Sequence, residues 1–543
     1  MEKQREIASL LLQFFLILLF CFIKQDYINY YYKTNFFLFS ITFTSLLIIQ
    51  LFFKKNTITI TWLEIYSHSI IIILFVITII SFNNYTDLAL IENFILAILL
   101  YFPIKNIIDI SIKENKNEAL SAVFLITLLS ILIKSILYST GNGINGDMYN
   151  STYFSNYITL SIPLLNLIIT KIKNKYFIFS AASLIIMIIV INLLNNARAA
   201  TIAGILYIVL NNSLLDFQKN RFLKVILFIF IPVASCVLVS KLSSVKGRLS
   251  IWQSCLEIFI THPWGIGIGN LKENLTVFQS SQMINWVNKE KFLLADINDY
   301  AFNDYLQFIV EGGFLIIIAL ILFTILFWKK KSLRLYYIFI LILSSTSYIL
   351  HSFPTIIIII VTLLILSYNK IEKGIRVKNQ FGYIFLGIIS VWSYFGFLSY
   401  TSKGYFGNSL LGTVINKYRS LDNKYKFDIG MLEFERKKYS IAIRTLKNTG
   451  LLNQDINVNL AIGYSFEQLN KLDSAKKYYV KANELLPRIF KPKYFLFNFY
   501  KKHNDTLNLK KICLEIINTP VKIKSVEIDS LQNIALIELR KIK

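Results

Sequence analysis

The stretch YFIFSAASLIIMIIVINLLNNARAATIAGILYIVL, residues 176–210, decides the fold class. From Phe177 to Leu194 it carries no charge and is long enough for a helix to cross a hydrocarbon layer. A few polar residues follow, NNAR, and the apolar text resumes at once. In lipid every backbone polar group needs a partner inside its own segment, so such a pair of runs reads as two spanning helices joined by a tight turn.

The same pattern recurs outward in both directions. Apolar runs near 7–23, 36–53, 62–82, 88–104, 119–138, 153–170, 177–194, 199–215, 222–240, 305–328, 333–351, 354–369 and 381–400 predict about 12–13 spans. Composition agrees: of 543 residues 55% are hydrophobic, mean hydropathy is +0.55, and only 16% are charged. The expected fold is therefore all-α, a polytopic membrane helical bundle. A β-barrel would show short alternating strands, which do not stand out. The run at 7–23 follows a charged start and lacks a small-residue cleavage site, so it is read as a retained first helix.

The net charge of +25 does not mark a nucleic-acid binder. Lys and Arg gather in alternate short loops: Lys54 and Lys55; Lys105, Lys113 and Lys116; Lys171, Lys173 and Lys175; Lys219, Arg221 and Lys224; Lys329 to Lys331 with Arg334; and Lys370, Lys373, Arg376 and Lys378. The intervening loops are poorer, and 83–87 and 140–152 have no Lys or Arg. The positive-inside rule then places the N-terminus in the cytoplasm. It puts loop 241–304 and everything after residue 400 outside. Domains are expected at 1–402, the membrane part, and 408–543, a polar tail.

Loop 241–304 is the longest polar interruption of the apolar part. It holds KGRLSIWQSCLEIF, an amphipathic run in which Arg248 opens a surface helix with Leu249, Trp252, Leu256 and Phe259 on one face. HPWGIGIGN follows. It lacks GxGxxG spacing, a preceding strand and a Walker lysine, so its glycines are read as a tight turn with close backbone approach. Arg198 lies among small residues at the outer end of a span. An arginine there snorkels or serves function. Two outward guanidinium forks suit a diphosphate, and the lipid-linked donors on that face are polyprenyl diphosphate sugars. The arginines would hold the leaving group and neutralise its growing charge.

The tail repeats itself. Gly430, Tyr439 and Ala442 answer Gly463, Leu472 and Ala475 at a constant offset of 33, and a weaker third unit follows in FKPKYFLFNFYKKHNDTLNLKKICLEII. The pattern resembles tetratricopeptide repeats, which implies a short helical solenoid and a possible protein partner.

The ordered set of outward Arg198, GRLSIWQSCLEIF, PWGIGIG and FNDYLQFIVEGG resembles the O-antigen ligase and O-antigen polymerase superfamily over about residues 140–330. Gly146 to Asn150, just before a span, also fits that family's pattern. The resemblance implies an enzyme, a glycosyltransferase of surface polysaccharide biosynthesis in the bacterial inner membrane. Its donor would be an undecaprenyl diphosphate-linked glycan, held by Arg198 and Arg248 with no metal or cofactor. The acceptor would be a lipid-linked repeat, a lipid A core or, alternatively, a protein hydroxyl.

The family's proton-accepting His is replaced here by Phe302. Asn303 follows it, and Asp296, Asp299, Asp304 and Glu311 are the nearby candidates for a base. Tyr305 and Gln307 either bind sugar hydroxyls or pack the start of the span. A flippase of lipid-linked glycan is the rival from another class. It would place charged residues deep in several spans, and few are seen: Glu64 with His68, Glu92 and Lys134. Neither the four Cys nor the four scattered His form a metal-binding pattern.

Overall fold

A computed structural model describes residues 57–61, 105, 117–137, 144, 150–211, 243–283, 298, 300–328, 331–351, 353–367, 374–378, 423–453, 455–521 and 525–542. The spans expected at 7–23, 36–53, 62–82, 88–104, 222–240 and 381–400 lie outside these residues, as do Asp296 and Asp299.

The described membrane part contains helices α1 (Asn117–Leu137), α2 (Ser151–Thr159), α3 (Ile162–Lys171), α4 (Lys175–Leu194) and α5 (Arg198–Asn211). Loop helices α6 (Ser243–Thr261) and α7 (Leu271–Met283) come next, then α8 (Asp304–Gly312), α9 (Phe314–Trp328), α10 (Lys331–Ser344) and α11 (Phe353–Ser367). A 3-10 turn at Ile349–His351 links α10 to α11.

Among the described residues two helices are long and apolar enough to cross a membrane: α2 with α3 taken together, Ser151–Lys171, and α4. The first is interrupted at Leu160 and Ser161, just before Pro163, whose ring suits the opening turn of α3. The second starts on Asn174, whose side chain accepts a bond from Tyr176 N at 3.0 Å. Phe179, Ile186, Val190, Leu193 and Leu194 of α4 are exposed, as are Ile318, Ile321, Leu322 and Ile325 of α9. Exposed apolar stripes of this length mark surfaces that meet lipid or another apolar partner. One large core joins α1 to α5 with α10 and α11.

Two expectations need correction. A single span was expected over 305–328, but the chain breaks at Gly313, with φ +66°, into α8 and the 15-residue α9. The cause is the Gly-rich loop, whose backbone occupies the space beside Gly313. Arg248 does not open its helix: α6 begins five residues earlier, at Ser243. Its most buried residues are Ile251, Cys255 and Ile258, which pack on Leu271, Leu275, Ala301 and Val310; of the four residues expected on one face, Trp252 and Phe259 pack partly buried against this cluster, while Leu249 and Leu256 are exposed. The described residues are helical, as expected, apart from one short ribbon. Strand β1 (Thr57–Thr61, TITIT) pairs antiparallel with β2 (Gly374–Lys378, GIRVK), from Thr57 opposite Lys378 to Thr61 opposite Gly374. The β-branched text of both favours the extended chain.

The tail forms three antiparallel hairpins: α12 (Asn423–Glu435) with α13 (Tyr439–Lys447), α14 (Ile456–Gln468) with α15 (Leu472–Leu485), and α16 (Phe490–Lys502) with α17 (Thr506–Asn518). Helix α18 (Val526–Ile542) closes the stack against α17. Each hairpin turns on one left-handed residue, Lys437, Asn470 or Asn504. At each, the next amide bonds back five residues: Lys438 N to Glu433 O at 2.9 Å, Lys471 N to Phe466 O at 2.9 Å, and Asp505 N to Tyr500 O at 3.0 Å. The same helix-ending motif thus recurs at offsets of 33 and 34. Leu446 packs on Gly430 as Tyr479 packs on Gly463, again 33 residues on. The stack is not remote from the loop: α7 packs against α15 and against the short turn Leu451–Asn453.

Candidate functional site

The site is built where α2, α8 and α10 meet the 3-10 turn. The first component is the turn between α4 and α5. Asn196 adopts φ +53°, Asn196 N bonds Leu193 O at 3.0 Å, and Ala197 N bonds Asn192 O at 2.8 Å. This motif ends α4 and lets α5 begin at once, with Arg198 as its first residue and exposed. Asn195 anchors the turn. Its amide donates to Ile144 O, Ser151 O and Ser155 Oγ at 2.7, 3.2 and 3.0 Å, and its carbonyl accepts from Ile144 N at 2.9 Å.

An aromatic stack carries this wall to the loop. Tyr153 of α2 stacks on Tyr348 at 4.9 Å, and Tyr348 stacks on Tyr300 at 4.2 Å. Beside them Arg248 donates from Nη1 to Thr346 O at 2.9 Å and lies over the Phe302 ring at 5.6 Å. Among the described residues its guanidinium has no carboxylate partner. Burial pulls its pKa below the ordinary value, with the nearby Tyr348 acting the other way. A charge held in place by a carbonyl and a ring, and not neutralised by an acid, is preorganised for an anion.

Phe302 itself is strained, with φ +54°, a region uncommon for a bulky side chain. Next to it Asn303 is the N-cap of α8, its Oδ1 accepting from Leu306 N at 3.1 Å. Asp304 is fully buried. Its Oδ2 accepts from Leu350 N at 3.1 Å and its Oδ1 lies 2.8 Å from His351 Nδ1. Tyr300 meets the His351 ring edge-on at 5.2 Å, and Phe308 stacks on it at 5.3 Å.

Gln307 and Glu311 form a different unit on the buried side of α8. Gln307 Oε1 accepts from Ala301 N at 3.1 Å and Gln307 Nε2 donates to Glu311 Oε1 at 3.1 Å. The backbone amides of Gly269 and Leu271, at the start of α7, face the Glu311 carboxylate. Tyr305 is half-buried.

The Gly-rich turn clasps the end of the same helix. Ile266 N bonds Val310 O at 3.1 Å, Gly267 N bonds Glu311 O at 2.9 Å, and Phe314 N bonds Pro263 O at 3.1 Å. It therefore satisfies carbonyls that a helix end leaves unpaired. The reading of these glycines as close backbone approach agrees with this geometry.

Arg248, Asn303 and Asp304 are thus gathered at one place, and Arg198 stands on the wall that Asn195 and Tyr153 tie to it. Gln307 and Glu311 face the loop core instead. Asp299 lies outside the described residues. His351 was missed. In the sequence it is one of four scattered His, LHSFPT, at the end of an apolar run. An ionisable residue at a span end was the available signal, but its partner Asp304 lies 47 residues away. Among the described residues no group of three or more His, Cys, Asp or Glu could hold a metal ion.

No curated protein matches this chain. A family model described as O-antigen ligase matches residues 155–321, a segment that runs from within α2 into α9 and contains Arg198, Arg248 and the whole of α8.

Proposed function

We propose that this chain transfers a glycan from a polyprenyl diphosphate carrier to an acceptor hydroxyl at the outer face of the inner membrane. The observation that carries the reading is Arg248, a half-buried guanidinium with no carboxylate among the described residues, inside the segment that matches the O-antigen ligases. Its fork fits diphosphate oxygens, and Arg198 supplies a second charge from the adjoining wall. As the bond from the sugar's anomeric carbon to the diphosphate breaks, both stabilise the charge left on the carrier. The acceptor is a lipid-linked repeat or a lipid A core, with a protein hydroxyl as the alternative. Deleting the gene and profiling glycans separates the cases: shortened chains indicate a polymerase, bare lipid A core a ligase, and unglycosylated protein an oligosaccharyltransferase. Unchanged glycans of all three kinds would sink the reading.

Arg198→Ala should lower transfer about tenfold to a hundredfold in membranes from such a strain, less than the change at Arg248, because Arg198 is exposed and water replaces part of what it does. Wild-type transfer in that variant would remove Arg198 from the donor site.

Two contacts join segments that the charge pattern assigns to one side of the membrane, as the arrangement with the N-terminus inside requires. The β1–β2 ribbon joins loops that the charge pattern assigns to the cytoplasm. The packing of α7 on α15 joins the loop and the tail, both assigned to the outside. A reporter fused after residue 543 should therefore be active only on the periplasmic side. A cytoplasmic signal would overturn the arrangement. In this reading the tail, a tetratricopeptide-like stack, braces α7 and through it the loop.

A further inference from the structure

We infer that Phe302 is a positioning residue of the donor site: its ring is the platform that holds the Arg248 guanidinium, and its left-handed backbone puts the ring there. The inference rests on the transfer reading above and deepens it, since it names what orients the charge that meets the diphosphate.

The backbone is the first observation. Among the described residues, those other than glycine with positive φ are Asn196, Lys437, Asn470, Asn504 and Phe302. The first four follow the ends of α4, α12, α14 and α16, where a left-handed residue closes the last helical turn. Phe302 has no such task. It precedes a helix, α8, and that helix is capped by Asn303. A bulky side chain at φ +54° is strained, and strain of this kind persists where the surrounding structure fixes it, often at a functional site.

The second observation is what the ring touches. Arg248 Cζ lies 5.6 Å from the Phe302 ring centroid, and Tyr348 meets the same ring in a T-shaped contact at 5.8 Å. Arg248 Nη1 meanwhile donates to Thr346 O at 2.9 Å. A carbonyl thus fixes one end of the guanidinium while the ring lies beneath it. Phe302 also packs, partly buried, against the cluster of Ile251, Cys255 and Val310. The platform is therefore tied to α6, the helix that carries Arg248.

The chemistry of the ring suits this task. The face of an aromatic ring attracts a cation without neutralising it. A carboxylate in the same place would also hold the arginine, but it would cancel the charge and repel a diphosphate. A phenyl ring limits the motion of the fork and leaves its positive charge for the phosphate oxygens, to which its other N–H groups can donate. Holding a charged group within a fraction of an ångström of its working place is worth a large factor in rate.

The test uses the full-length chain in membranes of the deletion strain, with the undecaprenyl diphosphate-linked glycan extracted from that strain as donor. Transfer is normalised to the protein present by immunoblot. Phe302→Leu removes the ring and keeps an apolar side chain. Phe302→Asn removes the ring and suits the left-handed backbone. Both should lower transfer about tenfold to a hundredfold. Phe302→Tyr, which keeps the ring, should stay within about threefold of wild type. In an Arg248→Ala background the ring has no guanidinium left to hold, so Phe302→Leu should cost less than about a further twofold. A residue that only packs the loop would cost the same factor in both backgrounds, and that result overturns the inference. Wild-type transfer in Phe302→Asn overturns it too, because the backbone alone would then matter, as does a Phe302→Tyr variant no better than Phe302→Leu. The two readings fail separately: a slow Arg248→Ala beside a fully active Phe302→Leu removes only the platform, and full activity in Arg248→Ala removes the donor site itself.

Discussion

Replacing Arg248 by alanine should reduce glycan transfer by about 10²–10³-fold and leave the amount of protein in the membrane unchanged. The size follows from what the guanidinium is placed to do: removing one preorganised donor from the position of developing charge typically costs that much in rate. The unchanged level follows from what it does not do. Arg248 makes one bond, to Thr346 O, and one ring contact, to Phe302, and no carboxylate among the described residues is left unpaired when it goes. Arg248→Lys should recover only part of the activity, because an ammonium cannot place two parallel donors on a diphosphate. The measurement is transfer rate in membranes, with the protein quantified by immunoblot. Normal turnover in the alanine variant would show that the donor's diphosphate sits elsewhere. A lysine variant as active as wild type would show that charge alone matters.

Gly265→Val should destabilise the chain by about 3 kcal/mol or more and abolish transfer with it, although the glycine touches no substrate in the proposed site. Gly265 has φ +93°, and a Cβ built on it would lie 2.4 Å from Glu311 O and 2.8 Å from Gly313 N. A branched residue meets both the backbone strain and the clash, and neither neighbour can move, being backbone at the end of α8. Freed from its clasp, α8 would lose the register that puts Asp304 beside His351 and Phe302 beneath Arg248. A melting temperature in detergent well below wild type, with transfer lost at temperatures where the protein is still folded, is the expected pair of results. A variant with wild-type stability would mean that the Gly-rich turn does not hold α8.

Part of both sites is written locally in the amino-acid text. The helices over 117–137, 151–171, 175–194 and 198–211 coincide with apolar runs within a few residues, because the period and length of a buried or lipid-facing helix are written locally. The repeat at 33 is legible for the same reason: small residues and turn residues recur wherever two helices cross. The break at Gly313 was not legible, since FIVEGGFLIII reads as continuous apolar text. What interrupts it is the backbone of Pro263 and Trp264, fifty residues earlier in the chain.

The residues of the candidate site divide along the same line. Arg198 and Arg248 stood out because a charge beside an apolar run is conspicuous by itself. The division of labour along NDYLQFIVE did not, because Asp304, Gln307 and Glu311 are all polar positions in one short segment. Only the packing of α8 shows that Gln307 and Glu311 tie the loop to its core while Asp304 turns to the 3-10 turn. The sequence by itself determined the class of fold, the apolar helices, the repeating tail and the two arginines, all of which depend on composition, spacing and hydropathy within a few dozen residues. The tertiary structure alone decided that His351 meets Asp304, that the Gly-rich turn clasps α8, and that the tail packs on α7. Each of these joins residues far apart in the chain, through hydrogen bonds and contacts that carry no local pattern.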